Sequence, residues 1–276
     1  MRWVILLFFA SYFGDVFGQE IQWRSAQQLG AGYICSLPAV GDVASFNPSV
    51  HADQPGLSGG IHYSMPFQMA SFAQQFAQLV YGAKFGFVGL GLGSNGDSNS
   101  ALRRVGLQYS RGFGGKWRAG LGYYYLSHHF STQQNFNASF SVAGLSYHAA
   151  NDEWVVSVAV QNMEQQTMAY PDFEGKIPSV VVTGVQWQPA EGLFLLTEVE
   201  KDFDRQPDFK GAVIYHLKKL VRLSVGASGS ELSLTAGAGV VYRGVQLHVG
   251  MAHHRDLGLS TAASLSVFGL FGQSYP

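Results

Sequence analysis

From about Ser58 to the C-terminus the chain consists of about fourteen short segments in which apolar and polar residues alternate, separated by tight turns. Alternation with a period of two places one set of side chains on each face of a strand, so each strand has an apolar and a polar side. Most segments run about ten residues or slightly more, the length of a tilted strand that crosses an outer membrane with one face to lipid and one to the lumen. In 245–257, Val245, Leu247, Val249 and Met251 share one face, and Gln246, His248 and Gly250 the other. In 116–130, Trp117, Ala119, Leu121, Tyr123 and Tyr125 oppose Arg118, Gly120 and Gly122. Segments 152–163, 192–203, 207–217 and 232–243 read the same way. Segments 72–82 and 84–95 carry apolar residues on both faces, which leaves their register open.

Composition separates this pattern from a soluble all-β domain. Charged residues make up 13% of the chain and aromatics 14%, with 34 glycines in 276 residues. A soluble domain carries about 25% charged residues, whereas a lipid-facing wall needs few. Tyr63, Tyr109, Trp117, Tyr147, Trp154, Trp187, Tyr215 and Tyr242 recur at segment ends, where an interfacial girdle would lie. After the N-terminus no run of eighteen apolar residues occurs, which argues against helical spans. The net charge of −1 gives no reason to expect nucleic acid as a partner.

Met1 to Gly18 reads as a secretory signal peptide, with Arg2 before an apolar run from Trp3 to Phe13. Residues 19–57 do not alternate and are rich in Gly and Pro, which predicts a turn-rich segment filling the bore or lying at its mouth. The expected organisation is thus a signal peptide (1–18), an N-terminal luminal or plug-like segment (19–57), a barrel (58–271) and a short tail (272–276). Very short connections at Gly82-Ala83, Gly114-Gly115, Ala150-Asn151, Ala190-Glu191, Lys218-Lys219 and Gly244 fall at every second turn. Periplasmic hairpins do this, so both termini are expected on the periplasmic side of a bacterial outer membrane, with the longest connection, Glu164–Lys176, outside.

Few residues suggest catalysis. His62 and Ser64 share a strand face, as in barrel lipases, but Met65-Pro66 follows where those enzymes have Asn-Gly. The pairs His128-His129 and His253-His254 point to opposite faces and so cannot easily chelate one metal. Cys35, the only cysteine, reads as a small buried residue. Glu198, Glu200 and Asp202 share a face and would line the lumen, either paired with Lys210, Arg104, Arg118 or Arg243 from other strands or setting pore selectivity. No nucleotide loop or metal motif occurs, so neither a cofactor nor enzymatic activity is expected.

The N-terminal segment carries Gly30-Ala31-Gly32, then Gly41-Asp42-Val43-Ala44-Ser45-Phe46-Asn47-Pro48. This resembles the luminal segment of the FadL and PorV/PorQ group of outer-membrane barrels. Thr197–Phe203 with Pro207–Ala212, preceded by Lys176-Ile177-Pro178, is similar to a late hairpin of the Bacteroidota PorV/PorQ proteins. The resemblance implies a fourteen-stranded, all-β, antiparallel transmembrane barrel, with Gly30, Gly32, Asp42, Asn47 and Pro48 forming the plug motif. It further implies a non-catalytic component of protein export (type IX secretion) or assembly, with secretion or assembly proteins as partners beside outer-membrane lipid. The alternative it carries is FadL-like passive transport of small hydrophobic or amphipathic molecules.

Overall fold

The computed structural model describes residues 23–41, 46–53, 56–131, 135–149, 152–171, 173–229 and 232–270. The proposed signal peptide, Asp42 and the C-terminal tail lie outside them. Fourteen strands close into one antiparallel barrel: β1 Gly56–Met65, β2 Gln74–Ala83, β3 Gly86–Gly96, β4 Ser100–Phe113, β5 Trp117–Phe130, β6 Phe136–His148, β7 Trp154–Gln161, β10 Val180–Ala190, β11 Leu193–Asp202, β12 Asp208–Leu217, β13 Val221–Ser228, β14 Ser233–Tyr242, β15 Val245–His254 and β16 Gly258–Leu270. The ring closes where β1 pairs with β16, with Ile61 opposite Leu265. Closure leaves no strand edge to satisfy in lipid. The small hairpin of β8 Thr167–Ala169 and β9 Glu174–Lys176 stands apart from the ring, within the connection between β7 and β10.

The alternation places the faces as the sequence predicts. Leu121, Tyr123 and Tyr125 point out and are exposed, while Gly120, Gly122 and Tyr124 are buried inward. His253 faces out and His254 in. The ambiguous stretch 72–95 has a single register, with Leu79 opposite Leu90. Its double apolar character has a cause in the bore: Phe76 and Val80 point inward, and Phe76 stacks with the Trp23 ring at 6.0 Å. Turn positions shift slightly from expectation. Gly82 and Ala83 still belong to β2, and the turn falls on Lys84-Phe85.

The N-terminal segment lies inside the barrel. Among the described residues it has one α-helical turn, α1 (Ala26–Leu29), held by a capping box between Ser25 and Gln28. A second leg, the 3-10 helix Pro48–Asp53, packs against β4, β5 and β6.

Candidate functional site

With only short helical turns, the plug must find partners for much of its backbone elsewhere, since a buried unpaired amide is costly. The wall supplies them from small polar side chains. The amide of Ala26 donates to Ser264 Oγ (2.8 Å), that of Gly32 to Thr235 Oγ1 (2.8 Å) and that of Ala39 to Gln186 Oε1 (2.8 Å). Arg222 of β13 donates to Gln27 Oε1 and to the Ala39 carbonyl, both at 2.6 Å. The mildly polar luminal face is therefore a set of caps for an irregular chain.

Close approach is possible because the wall is bare where the plug touches it. A Cβ placed on Gly226 would lie 2.5 Å from the Gly32 nitrogen, and one on Gly120 2.7 Å from the Pro48 carbonyl carbon. On the plug side, a Cβ on Gly30 would lie 2.7 Å from the Gly237 Cα. Gly32 has φ +67°, and a Cβ there would meet the Ala227 and Gly211 carbonyls at 2.9 Å. Both glycines of the plug motif are thus required, one by space and one by space and conformation. Asn47 joins the two legs: its Nδ2 donates to the Ser36 carbonyl (3.0 Å) and its Oδ1 accepts from the Ser49 amide (3.0 Å) and hydroxyl (2.8 Å). Pro48 lies against Gly120 and Gly144.

The acidic stripe is the electrostatic centre of this interface. Glu198 is 1% exposed and accepts from the amides of Cys35 and Ser36 (3.1 and 2.8 Å) and from the Ser36 hydroxyl (2.6 Å). Lys210, its cross-strand neighbour, lies 3.5 Å from Glu198 and also pairs with Glu200. Arg24 of the plug pairs with Glu200 at 3.0 Å and donates to the Tyr33 carbonyl at 2.9 Å. Cys35, Glu198 and Glu200 bring their ligand atoms within 4.8 Å of one another, a spacing that could hold a metal ion. The chemistry does not fit one, because two cations already neutralise the carboxylates. Burial also pushes the Cys35 thiol up to about 12, with Arg24 offsetting only part of the effect.

The other expected stripe members lie elsewhere. Asp202 is half-buried at the rim, 3.9 Å from Arg205. Arg118 is at the short-turn rim and donates to the Gly115 and Trp117 carbonyls. Arg243 is not luminal: it occupies the β14–β15 turn, exposed, with its guanidinium 5.3 Å from the Tyr242 ring centroid. Its segment ends one residue sooner than the alternation suggested, which removes it from the strand faces. Arg104 is luminal but stacks on aromatics, 4.0 Å from the Trp23 centroid and 4.8 Å from Tyr124. His62 pairs with Ser264 across the β1–β16 seam (2.8 Å), while Ser64 donates to Gln74, so the two side chains bond different strands. Arg24 and Arg222 were not anticipated. Arg222 was legible from its parity with Ser224 on β13, but nothing periodic marks Arg24.

Beside Trp23 the bore narrows to a cavity of about 20 Å³, lined by Phe76, Gln78, Gly91, Arg104, Gln108 and Tyr124. That is room for about one water molecule. Tyr124 also belongs to a buried apolar cluster with Leu102, Leu126, Phe140, Val142, Met168 and Ile177, which reaches toward the long-loop end. There the β7–β10 connection folds over the mouth, and Tyr170 packs on Phe136 (4.8 Å) and Phe173 (4.7 Å) and bonds His128 through its hydroxyl (2.7 Å).

No family model matches the sequence, and no curated protein matches it. Solved structures match the fold. The CymD monoaromatic hydrocarbon channel superposes with a TM-score of 0.62 at 10% identity, over 89% of this chain and 97% of that one. The Pseudomonas putida toluene transporter TodX gives 0.59 at 10% identity, over 92% and 99%. The Acinetobacter baumannii outer membrane protein Omp33 gives 0.52 at 7% identity, over 78% and 98%. The chain is thus similar in fold to bacterial outer-membrane β-barrels.

Proposed function

We propose that this barrel passes small hydrophobic or amphipathic molecules across the outer membrane. The observation that carries the reading is the continuity of apolar surface from the mouth inward. Phe136, Tyr170 and Phe173 form a partly exposed aromatic cluster at the long-loop end. Below it lies the buried apolar cluster, and Tyr124 joins that cluster to the cavity beside Trp23 and Arg104. An aromatic mouth above an apolar column suits partition of an apolar solute from water. The fold-level likeness to CymD and TodX, which are described as hydrocarbon channels, agrees with it.

The test is uptake of radiolabelled toluene and of a medium-chain fatty acid by outer-membrane-intact cells with and without the barrel. Faster uptake of either, reduced by the double variant Phe136→Ala/Tyr170→Ala, is the expected result. Unchanged uptake with correctly inserted barrel would sink the reading. A second reading, a partner-binding barrel in protein export or assembly, draws on the plug bound inside the bore by buried ion pairs. Stoichiometric recovery of export or assembly proteins with the tagged barrel in mild detergent would favour it.

A further inference from the structure

Exposed cations are more numerous at the short-turn end of the barrel. At the short-turn end six cations, Lys84, Arg111, Lys116, Lys218, Lys219 and Arg243, are exposed, and among the described residues none of them makes an ion pair. At the long-loop end Lys176 and Arg205 are paired with Asp204 (3.0 Å) and Asp202 (3.9 Å), and only Arg103 and Arg255 are exposed without an ion pair among the described residues. The short-turn cations are also grouped around the ring. They sit at β2–β3, β4–β5, β12–β13 and β14–β15, which form one arc running through the β16–β1 seam. The carboxylates of that end, Asp152, Glu153 and Glu191, occupy the remaining arc, at β6–β7 and β10–β11.

The depth of these cations points to what they meet. Arg111 lies on the lipid-facing side of β4 with Tyr109 and Phe113, its guanidinium 5.8 Å from the Phe113 centroid. Trp117, 47% exposed, begins the next strand. Cations rising from an aromatic collar at the edge of an apolar band sit at headgroup level, their stems along the apolar wall and their charges in the polar layer. We propose that this arc is a docking surface for anionic glycerophospholipid headgroups, so that the barrel gathers acidic lipid on one side only. A soluble acidic partner would not require Arg111 on the lipid-facing wall below the turn cations, whereas a lipid phosphate is reached from there. The periplasmic placement expected for short turns sets the arc in the glycerophospholipid leaflet.

The protein contains reporters for both arcs: Trp117 in the basic arc and Trp187 in the acidic one. Full-length barrel carrying one of these as its only tryptophan would be placed in mixed bilayers, with quenching by brominated phosphatidylglycerol compared with quenching by brominated phosphatidylcholine at equal mole fraction. For Trp117 the anionic lipid should quench at least about twofold more at low salt, since each cation near an anionic surface favours it and salt screens the attraction. Trp187 should show no preference. The preference at Trp117 should vanish in the K84Q/R111Q/K116Q variant and in high salt. As a check without substitutions, lipid retained by the wild-type barrel from an equimolar bilayer should be enriched in phosphatidylglycerol. Equal quenching at Trp117, an equal preference at Trp187, or an unenriched annulus beside a captured acidic protein would each overturn the proposal. So would stronger displacement of the brominated lipid by lipopolysaccharide than by phosphatidylglycerol.

Discussion

Across β10–β16 the plug meets the wall backbone to backbone, whereas across β2–β4 it meets it through side chains. On the first side, bare glycines admit the plug chain, wall hydroxyls and amides cap its N–H groups, and Glu198, Lys210, Glu200 and Arg24 close the contact with buried charge. On the second side the Trp23 ring lies against Phe76 and Arg104, beside a small cavity, and the 3-10 helix Pro48–Asp53 packs on β4. The first arrangement has no slack: backbone cannot change rotamer, and a buried carboxylate cannot lose its donors cheaply. The second can rearrange by rotating side chains. A solute moving past this plug would therefore do so beside Trp23, with the plug still fixed to the opposite wall.

The sharpest way to break that contrast is Glu198→Ala. It leaves Lys210 buried with one fewer partner and uncaps the Cys35 and Ser36 amides, for an expected loss of about 3–5 kcal/mol in thermal or denaturant unfolding. It also gives a readout specific to the plug. Native Cys35, buried and with its thiol pushed up to about 12, should resist maleimide at pH 7.5, and the variant should label.

Next in size is Gly250→Ala, whose methyl would strike the Ala26 carbonyl and should cost about 1–3 kcal/mol. Arg104→Gln removes the guanidinium from the Trp23 and Tyr124 rings, and a loss of about 0.5–2 kcal/mol is expected. Its more informative effect should be faster solute uptake with Cys35 still protected from labelling. The smallest effect should come from Gly91→Ala. The nearest atom to its added methyl is Gln78 Cγ at 4.0 Å, so stability should change by under about 0.5 kcal/mol. Similar losses for Gly91→Ala and Gly250→Ala would dissolve the distinction between the two sides.

Much of this was legible in the sequence. Leu247, Val249 and Met251 against His248 and Gly250 declare a lipid face and a luminal face without any knowledge of neighbours. Gly30, Gly32, Asp42, Asn47 and Pro48 stood out as a group; of these, Gly30 and Gly32 lie close against the wall and Asn47 bonds Ser36 and Ser49. Less visible was the pairing of charges. Glu198 and Lys210 could be placed on luminal faces, but Arg104 reads from its parity as an equally good partner and instead stacks on Trp23. Arg243 was assigned to the lumen because alternation alone does not mark where a strand stops.

The sequence by itself determined the class of environment and the barrel, because a period of two between lipid and lumen is imposed residue by residue by the solvents on either side. Only the tertiary structure decided what the luminal face is for. Which glycine admits which stretch of plug, and which carboxylate caps which amide, depends on the register of closure and on an irregular chain threaded through it, and neither leaves a periodic trace in the residues that make the contact.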